Sequence, residues 1–171
     1  MLLHELPPGP KPPAEIAVIV EVPKGSRNKY EYDKHLGVIY MDRRLFSPVH
    51  YPGDYGFIPS TLADDGDPLD VVVLTQEPSF SGCMLYTRPL GMLMMTDEKG
   101  GDEKILAVPI ADPNYDTYQN LGDVPPHFLR EMDHFFRVYK ELEGKPVTSV
   151  GWKDRWEAEQ VIQRCIEAFK G

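Results

Sequence analysis

Over the first two thirds of the chain, apolar positions come in short runs separated by turn residues. Ile16–Val22 (IAVIVEV) is almost wholly apolar, with Glu21 as the interruption. Further β-rich runs follow at Lys29–Tyr32, Gly37–Asp42, Asp70–Leu74, Gly91–Met95 and Ile105–Ile110, each bounded by Gly, Pro, Asp or Ser. Runs of this length between turn residues read as strands. Nothing of helical period separates them, so βαβ units are not expected and a closed or nearly closed barrel is favoured. After Pro125 the period changes. Phe128, Leu129, Met132, Phe135, Phe136, Tyr139 and Leu142 fall at helical spacing, with Pro125–Pro126 at the start and Gly144 at the stop. A second helix is predicted over residues 155–170, where Asp154 and Glu157 can form a capping-box-like pair. Its apolar face holds Trp156, Val161, Ile162, Cys165, Ile166 and Phe169. The pattern predicts an α+β, mainly β fold: a barrel followed by helices that cover it.

Length and composition narrow this further. A chain of 171 residues is expected to form a single domain, here with a proline-rich arm over residues 1–14 that cannot enter a central strand. The two cysteines, Cys83 and Cys165, are far apart and form no Cys/His cluster, which leaves zinc and iron–sulfur centres without ligands and suits a reducing compartment. No leader and no membrane-length apolar run is read, so a cytoplasmic address is expected. The net charge of −9 disfavours nucleic acid as a partner, because phosphate backbones need clustered cations.

The acidity is concentrated. Asp65-Gly-Asp67-Pro-Leu-Asp70 packs three aspartates into six residues, with Gly66 allowing a tight turn and Pro68 fixing φ. All-oxygen donors of this kind suit a hard divalent cation, Mg²⁺ or Mn²⁺. Taken alone, the same residues also describe a solvated turn that needs no metal. A calcium hand starting at Asp65 fails, since its glycine position is Asp70 and its twelfth position is Gln76. A second acidic stretch, Asp97–Lys104, supplies Asp97 and Asp102 beside Lys104, and by itself reads equally well as a hairpin with Gly100–Gly101 at its tip. Cationic and phenolic residues are scattered through Lys29-Tyr-Glu31, Asp42-Arg43-Arg44, Tyr51–Gly56 and Tyr139-Lys140. Lys and Arg bind phosphate by charge, and a tyrosine hydroxyl donates to phosphoryl oxygen without adding charge. Each of these also has a structural reading; Tyr139 lies on the apolar helix stripe, and Lys140 near a helix C-terminus suits the dipole.

In their order the motifs resemble the soluble inorganic pyrophosphatases of family I, prokaryotic type. The residues that carry the likeness are Asp65-Gly66-Asp67-Pro68-Leu69-Asp70-Val71, flanked by Lys29-Tyr30-Glu31, Asp42-Arg43, Tyr51–Gly56, Met95–Glu98, Asp102 with Lys104, and Phe135-Phe136 leading to Tyr139-Lys140. The resemblance implies a five-stranded OB-like β-barrel with C-terminal helices packed on it. It also implies Mg²⁺-dependent hydrolysis of pyrophosphate to two phosphates, with several ions per site and Mn²⁺ or Zn²⁺ able to substitute. By position, Asp65, Asp70, Asp97, Asp102 and Glu21 would hold metal, and Asp67 would orient or deprotonate the attacking water. Lys29, Arg43, Tyr55, Lys104, Tyr139 and Lys140 would hold phosphate, supported by Glu31 and Tyr51. A homohexamer is implied as well. Asp54 departs from the family's frequent Asn and is expected to tune Tyr55 at most. Two other readings share parts of this pattern: a phosphohydrolase of nucleoside polyphosphates, though no Gly-rich phosphate loop is present, and an OB-type module for single-stranded nucleic acid, which the acidic loops oppose.

Overall fold

Five strands close on one another in the computed structural model, which describes residues 1–171. They are β1 (Ile16–Val22), β4 (Asp54–Phe57), β5 (Asp70–Val73), β7 (Gly100–Pro109) and β6 (Met84–Asp97), in that order, and β6 pairs back onto β1. Only the β5–β7 pair is parallel. β8 (Thr148–Asp154) adds to the outer flank of β6, and β2 (Asn28–Asp33) with β3 (Val38–Arg44) forms a separate hairpin. Two helices follow the ring, α1 (Pro126–Val138) and α2 (Arg155–Lys170). The five-stranded ring with covering helices is the expected fold. None of the helices is long and apolar enough to cross a membrane.

Alternation along the strands splits the apolar residues into two cores. On one side of the β5–β7 wall Val72, Leu106 and Val108 join Leu93, Tyr51 and the α1 residues Met132, Phe135 and Phe136. On the other, Val71, Val73, Ile105 and Ala107 join Ile16, Val18 and the α2 residues Ala158, Val161, Ile162, Cys165 and Ile166. β4 crosses β1 so closely that a side chain at Gly56 would run into the Ile19 backbone. The proline-rich arm is tied down by Ser60, whose N–H and hydroxyl donate to the His4 and Leu6 carbonyls, and by Ala17 donating to the Pro8 carbonyl.

Several local expectations need correction. β4 and β8 carry no clear strand pattern, since each contains glycine and polar residues, and they are strands because neighbours supply hydrogen-bond partners. β6 reaches well beyond Gly91–Met95. The stretch Asp97–Lys104 is mostly strand: Asp97 pairs with Gly100, so Glu98–Lys99 form the tip rather than Gly100–Gly101. The first predicted helix stops at Val138, and Glu141–Glu143 forms a separate 3-10 turn ended by left-handed Gly144. That break leaves Leu142 65% exposed. On α2, Trp156 is 69% exposed and leaves the buried stripe to Ala158. Asp154 caps α2 by accepting from Arg155 N–H and also from Leu121 N–H, and no reciprocal bond from Glu157 is present.

Candidate active site

The in-register parallel pairing of β5 with β7 sets Asp70 beside Lys104. Both belong to the even-numbered side of the wall, the α1 side, as does Asp102. Lys104 Nζ donates to Asp70 Oδ2 at 2.7 Å and to the Tyr55 hydroxyl at 2.8 Å, and lies 3.1 Å from Asp102 Oδ2. The rings of Tyr55 and Phe136 pack against the ammonium, with centroids 5.2 and 5.3 Å away. Burial disfavours this ammonium, but the carboxylates of Asp70 and Asp102 and the Tyr55 phenol surround it and hold its pKa above the ordinary lysine value. A buried cation held by two carboxylates is stable only because both partners are in place.

Around it opens a cavity of about 370 Å³. It is lined by Glu21, Lys29, Glu31, Tyr51, Tyr55, Asp65, Asp67, Asp70, Asp97, Asp102, Lys104, Tyr139 and Lys140 among others. Every residue that the resemblance assigns to metal, water, phosphate or their support is thus brought together except Arg43. Arg43 lies next to the cavity, paired across β2–β3 with Lys29, and contacts Asp42 at 2.6 Å and Glu143 at 3.0 Å. Its Nε–H is not aimed at Glu143, so that contact is an ion pair rather than a hydrogen bond. Lys29 sits 3.4 Å from Glu31, and Lys140 3.7 Å from Asp97. The Asp65–Asp70 loop folds on itself: Asp67 N–H donates to Asp65 Oδ1 at 3.0 Å, Ala63 N–H to the Asp67 carbonyl, and Gly66 takes φ +87°. Asp65 and Asp67 stand exposed at the rim, whereas Asp70 starts β5.

The carboxylates crowd one another. Burial, with Asp70 and Glu31 adding to it, pushes Glu21 up to about 8 despite a bond from Tyr32 N–H. Burial and the nearby Asp70 push Asp102 up to about 6 against the pull of Lys104. Asp65 is raised too, first by the protein packed against it and then by Asp70 and Asp67. Burial raises the phenols of Tyr51 and Tyr55, and that of Tyr139 to about 12, so all three keep their protons and remain donors. With Lys104 between Asp70 and Asp102, no three carboxylates converge on a single point. The donor set is nonetheless all oxygen, and acids forced above their usual pKa by burial and by one another are stabilised by a divalent cation. The residues fit a hard metal.

Comparisons with known proteins identify the family. The family model for inorganic pyrophosphatase matches residues 18–170. The chain belongs to the inorganic pyrophosphatase family. It is 53% identical over 152 residues to an inorganic pyrophosphatase of Methanosarcina mazei, covering 89% of this chain and 90% of that one. It is 49% identical over 172 residues to that of Thermus thermophilus, covering 99% and 98%. A crystal structure of inorganic pyrophosphatase from Thermus thermophilus superposes with a TM-score of 0.97 at 48% identity over the full length of both chains.

Within this pyrophosphatase fold some contacts have no local sequence signal. Glu143, the residue before the Gly144 stop, is the buried carboxylate beside Arg43. Asp54 does not face the Tyr55 hydroxyl. It is 1% exposed and accepts from Lys24 N–H, Ser79 N–H and the Ser79 hydroxyl, which assigns its charge to loop anchoring.

Proposed function

We propose that this chain hydrolyses inorganic pyrophosphate in the presence of Mg²⁺: one water adds to one phosphoryl group, the bridging P–O bond breaks, and two phosphates leave. The observation that carries the reading is Lys104, buried at 4% exposure, in contact with the Asp70 and Asp102 carboxylates and with the Tyr55 phenol. Asp65, Asp70, Asp97, Asp102 and Glu21 would hold the metal. Bound there, Mg²⁺ would supply positive charge against the substrate's negative charge and lower the pKa of the attacking water. Asp67 extends from a stiff turn at the rim, where its carboxylate accepts the proton of that water. Lys29, Arg43, Lys104 and Lys140 grip phosphoryl oxygens by charge, and Tyr55 and Tyr139, kept protonated by burial, donate to them. Glu31 orients Lys29, and Tyr51 backs Tyr55 edge-on with ring centroids 5.4 Å apart.

The same reading includes Mn²⁺ or Zn²⁺ as substitutes, one domain over residues 1–171 with its proline-rich arm, a cytoplasmic address and a homohexamer. Light scattering tests the assembly. A panel of pyrophosphate, ATP and a phosphomonoester, assayed for phosphate release with Mg²⁺, tests the activity. Pyrophosphate is expected to be cleaved far faster than the others, and ATP cleavage at a comparable rate would replace the reading with a nucleotide hydrolase.

A further inference from the structure

The outer end of β7 poses a mechanical problem. β5 pairs with β7 only from Lys104 onward, so Asp102 lies on a stretch that has β6 alone beside it. That stretch begins at Gly100–Gly101, with Gly100 at φ +112°. Glycine adds no packing there and leaves the backbone soft. Yet Asp102 must hold its place against Asp70 and Lys104. The residue between Asp102 and Lys104 is Glu103, and strand alternation turns it to the opposite side of the wall, toward α2. Its side chain is 10% exposed, and Arg164 Nη2 donates to its Oε1 at 3.1 Å.

The Arg164 backbone is placed firmly, while its side chain is 54% exposed. Its helix neighbours Val161, Ile162, Cys165 and Ile166 are all buried in the second core. The same Nη2 lies 3.9 Å from Asp64 Oδ2, the residue before Asp65. Next to Arg164, the Cys165 carbonyl accepts from Leu62 N–H at 2.9 Å. One turn of α2 therefore contacts both acidic segments from behind. The Asp64 contact is long and 81% exposed on the aspartate side, so it is the weaker of the two.

We propose that Arg164 is a positioning residue for the metal site: it holds Glu103, and through one peptide on either side the Asp102 and Lys104 side chains, in register with the Asp65–Asp70 loop. The inference rests on the assignment of Asp70 and Asp102 as metal ligands. It also predicts a sign. Acting through space alone, Arg164 would repel a divalent cation, and its removal would tighten metal binding. Acting by position, its removal weakens binding.

The test uses the full chain without substrate, following Mn²⁺ binding by titration calorimetry and paramagnetic resonance. Arg164→Gln is expected to raise the Mn²⁺ dissociation constant roughly fivefold, less than the roughly 10–100-fold of groups that touch a metal ligand directly, because it acts one residue removed. Turnover at subsaturating Mg²⁺ falls below that of the parent chain. Arg164→Lys, which keeps the charge but loses the planar fork, falls between the two. A folded Arg164→Gln chain that binds Mn²⁺ as tightly as the parent, or more tightly, overturns the proposal, as does a lowered melting temperature with unchanged Mn²⁺ affinity. If Arg164→Gln does not fold, Arg164→Lys carries the comparison, with weakened binding in support and parental binding against. Failure of the parent chain itself to bind Mn²⁺ would instead overturn the site assignment on which the inference rests.

Discussion

The two cores on either side of the β5–β7 wall use different chemistry. The α2 side is aliphatic, built from Ile16, Val71, Ile105, Ile162 and similar residues. The α1 side is rich in rings. Tyr51, Phe135, Phe136 and Tyr139 pack together there, with centroids 4.8–5.6 Å apart, and Tyr55 leans on the same group. Aliphatic side chains fill space and nothing more. A tyrosine contributes the same apolar area while placing a hydroxyl at a set distance from the backbone. Where the protein needs donors inside a cavity it builds the core from phenols, and where it needs only rigidity it uses branched aliphatics. The same rings therefore serve packing and function on the α1 side, whereas the aliphatic residues of the α2 side serve packing alone.

The largest expected break in that contrast is Asp70→Asn. It removes a carboxylate from the head of β5 and one of the partners of Lys104, and should lower both metal affinity and turnover, the latter by at least about 10²-fold. Binding and phosphate-release titrations read the two together. Asp67→Asn should spare metal and substrate binding while lowering turnover by roughly 10²-fold near neutral pH. Equal activity across pH would remove Asp67 from the proton transfer.

Ile162→Ala addresses the opposite side. A buried isoleucine cut to alanine costs about 2–5 kcal/mol of stability, and below its melting temperature the variant should keep parental turnover. Tyr139→Phe should do the reverse: stability changes by only about 1 kcal/mol, while phosphate release falls roughly tenfold with the lost donor. If Tyr139→Phe is as active as the parent, Tyr139 belongs to packing alone.

A last effect is on pH. Glu21 and Asp102 are raised by the fold to about 8 and about 6, from ordinary values of 4.5 and 3.8. The folded chain therefore holds these protons longer than the unfolded one does. With metal chelated, stability should decline as pH rises from about 4 to about 8, and saturating Mg²⁺ should flatten the decline. Denaturant midpoints across that range measure it, and stability rising with pH in chelator would contradict the assigned burial.

Much of this was legible in the chain because its signals are local. The stripe Met132-Phe135-Phe136-Tyr139 announces α1, and Asp65–Asp70 announces an acidic turn by composition alone. Other features depend on partners distant in sequence. β4 reads as Asp-Tyr-Gly-Phe and is a strand only between β1 and β5. β8 contains Gly151 and shows its exposed face to solvent. Glu103 and Arg164 meet across 61 positions, and Arg43 and Glu143 meet across the whole ring-to-helix span, so neither pair leaves a motif to find. Arg43 itself was recognisable only through its place in an ordered set.

The central claim is that the carboxylates and cations around Lys104 form a metal-dependent pyrophosphate hydrolase. Phosphate release from pyrophosphate, titrated with Mg²⁺ from chelator to saturation, tests it most directly. The account predicts negligible release in chelator, a steep rise with Mg²⁺, and loss of that rise in Asp70→Asn. Release that is independent of Mg²⁺, or no release at saturating Mg²⁺, would contradict it.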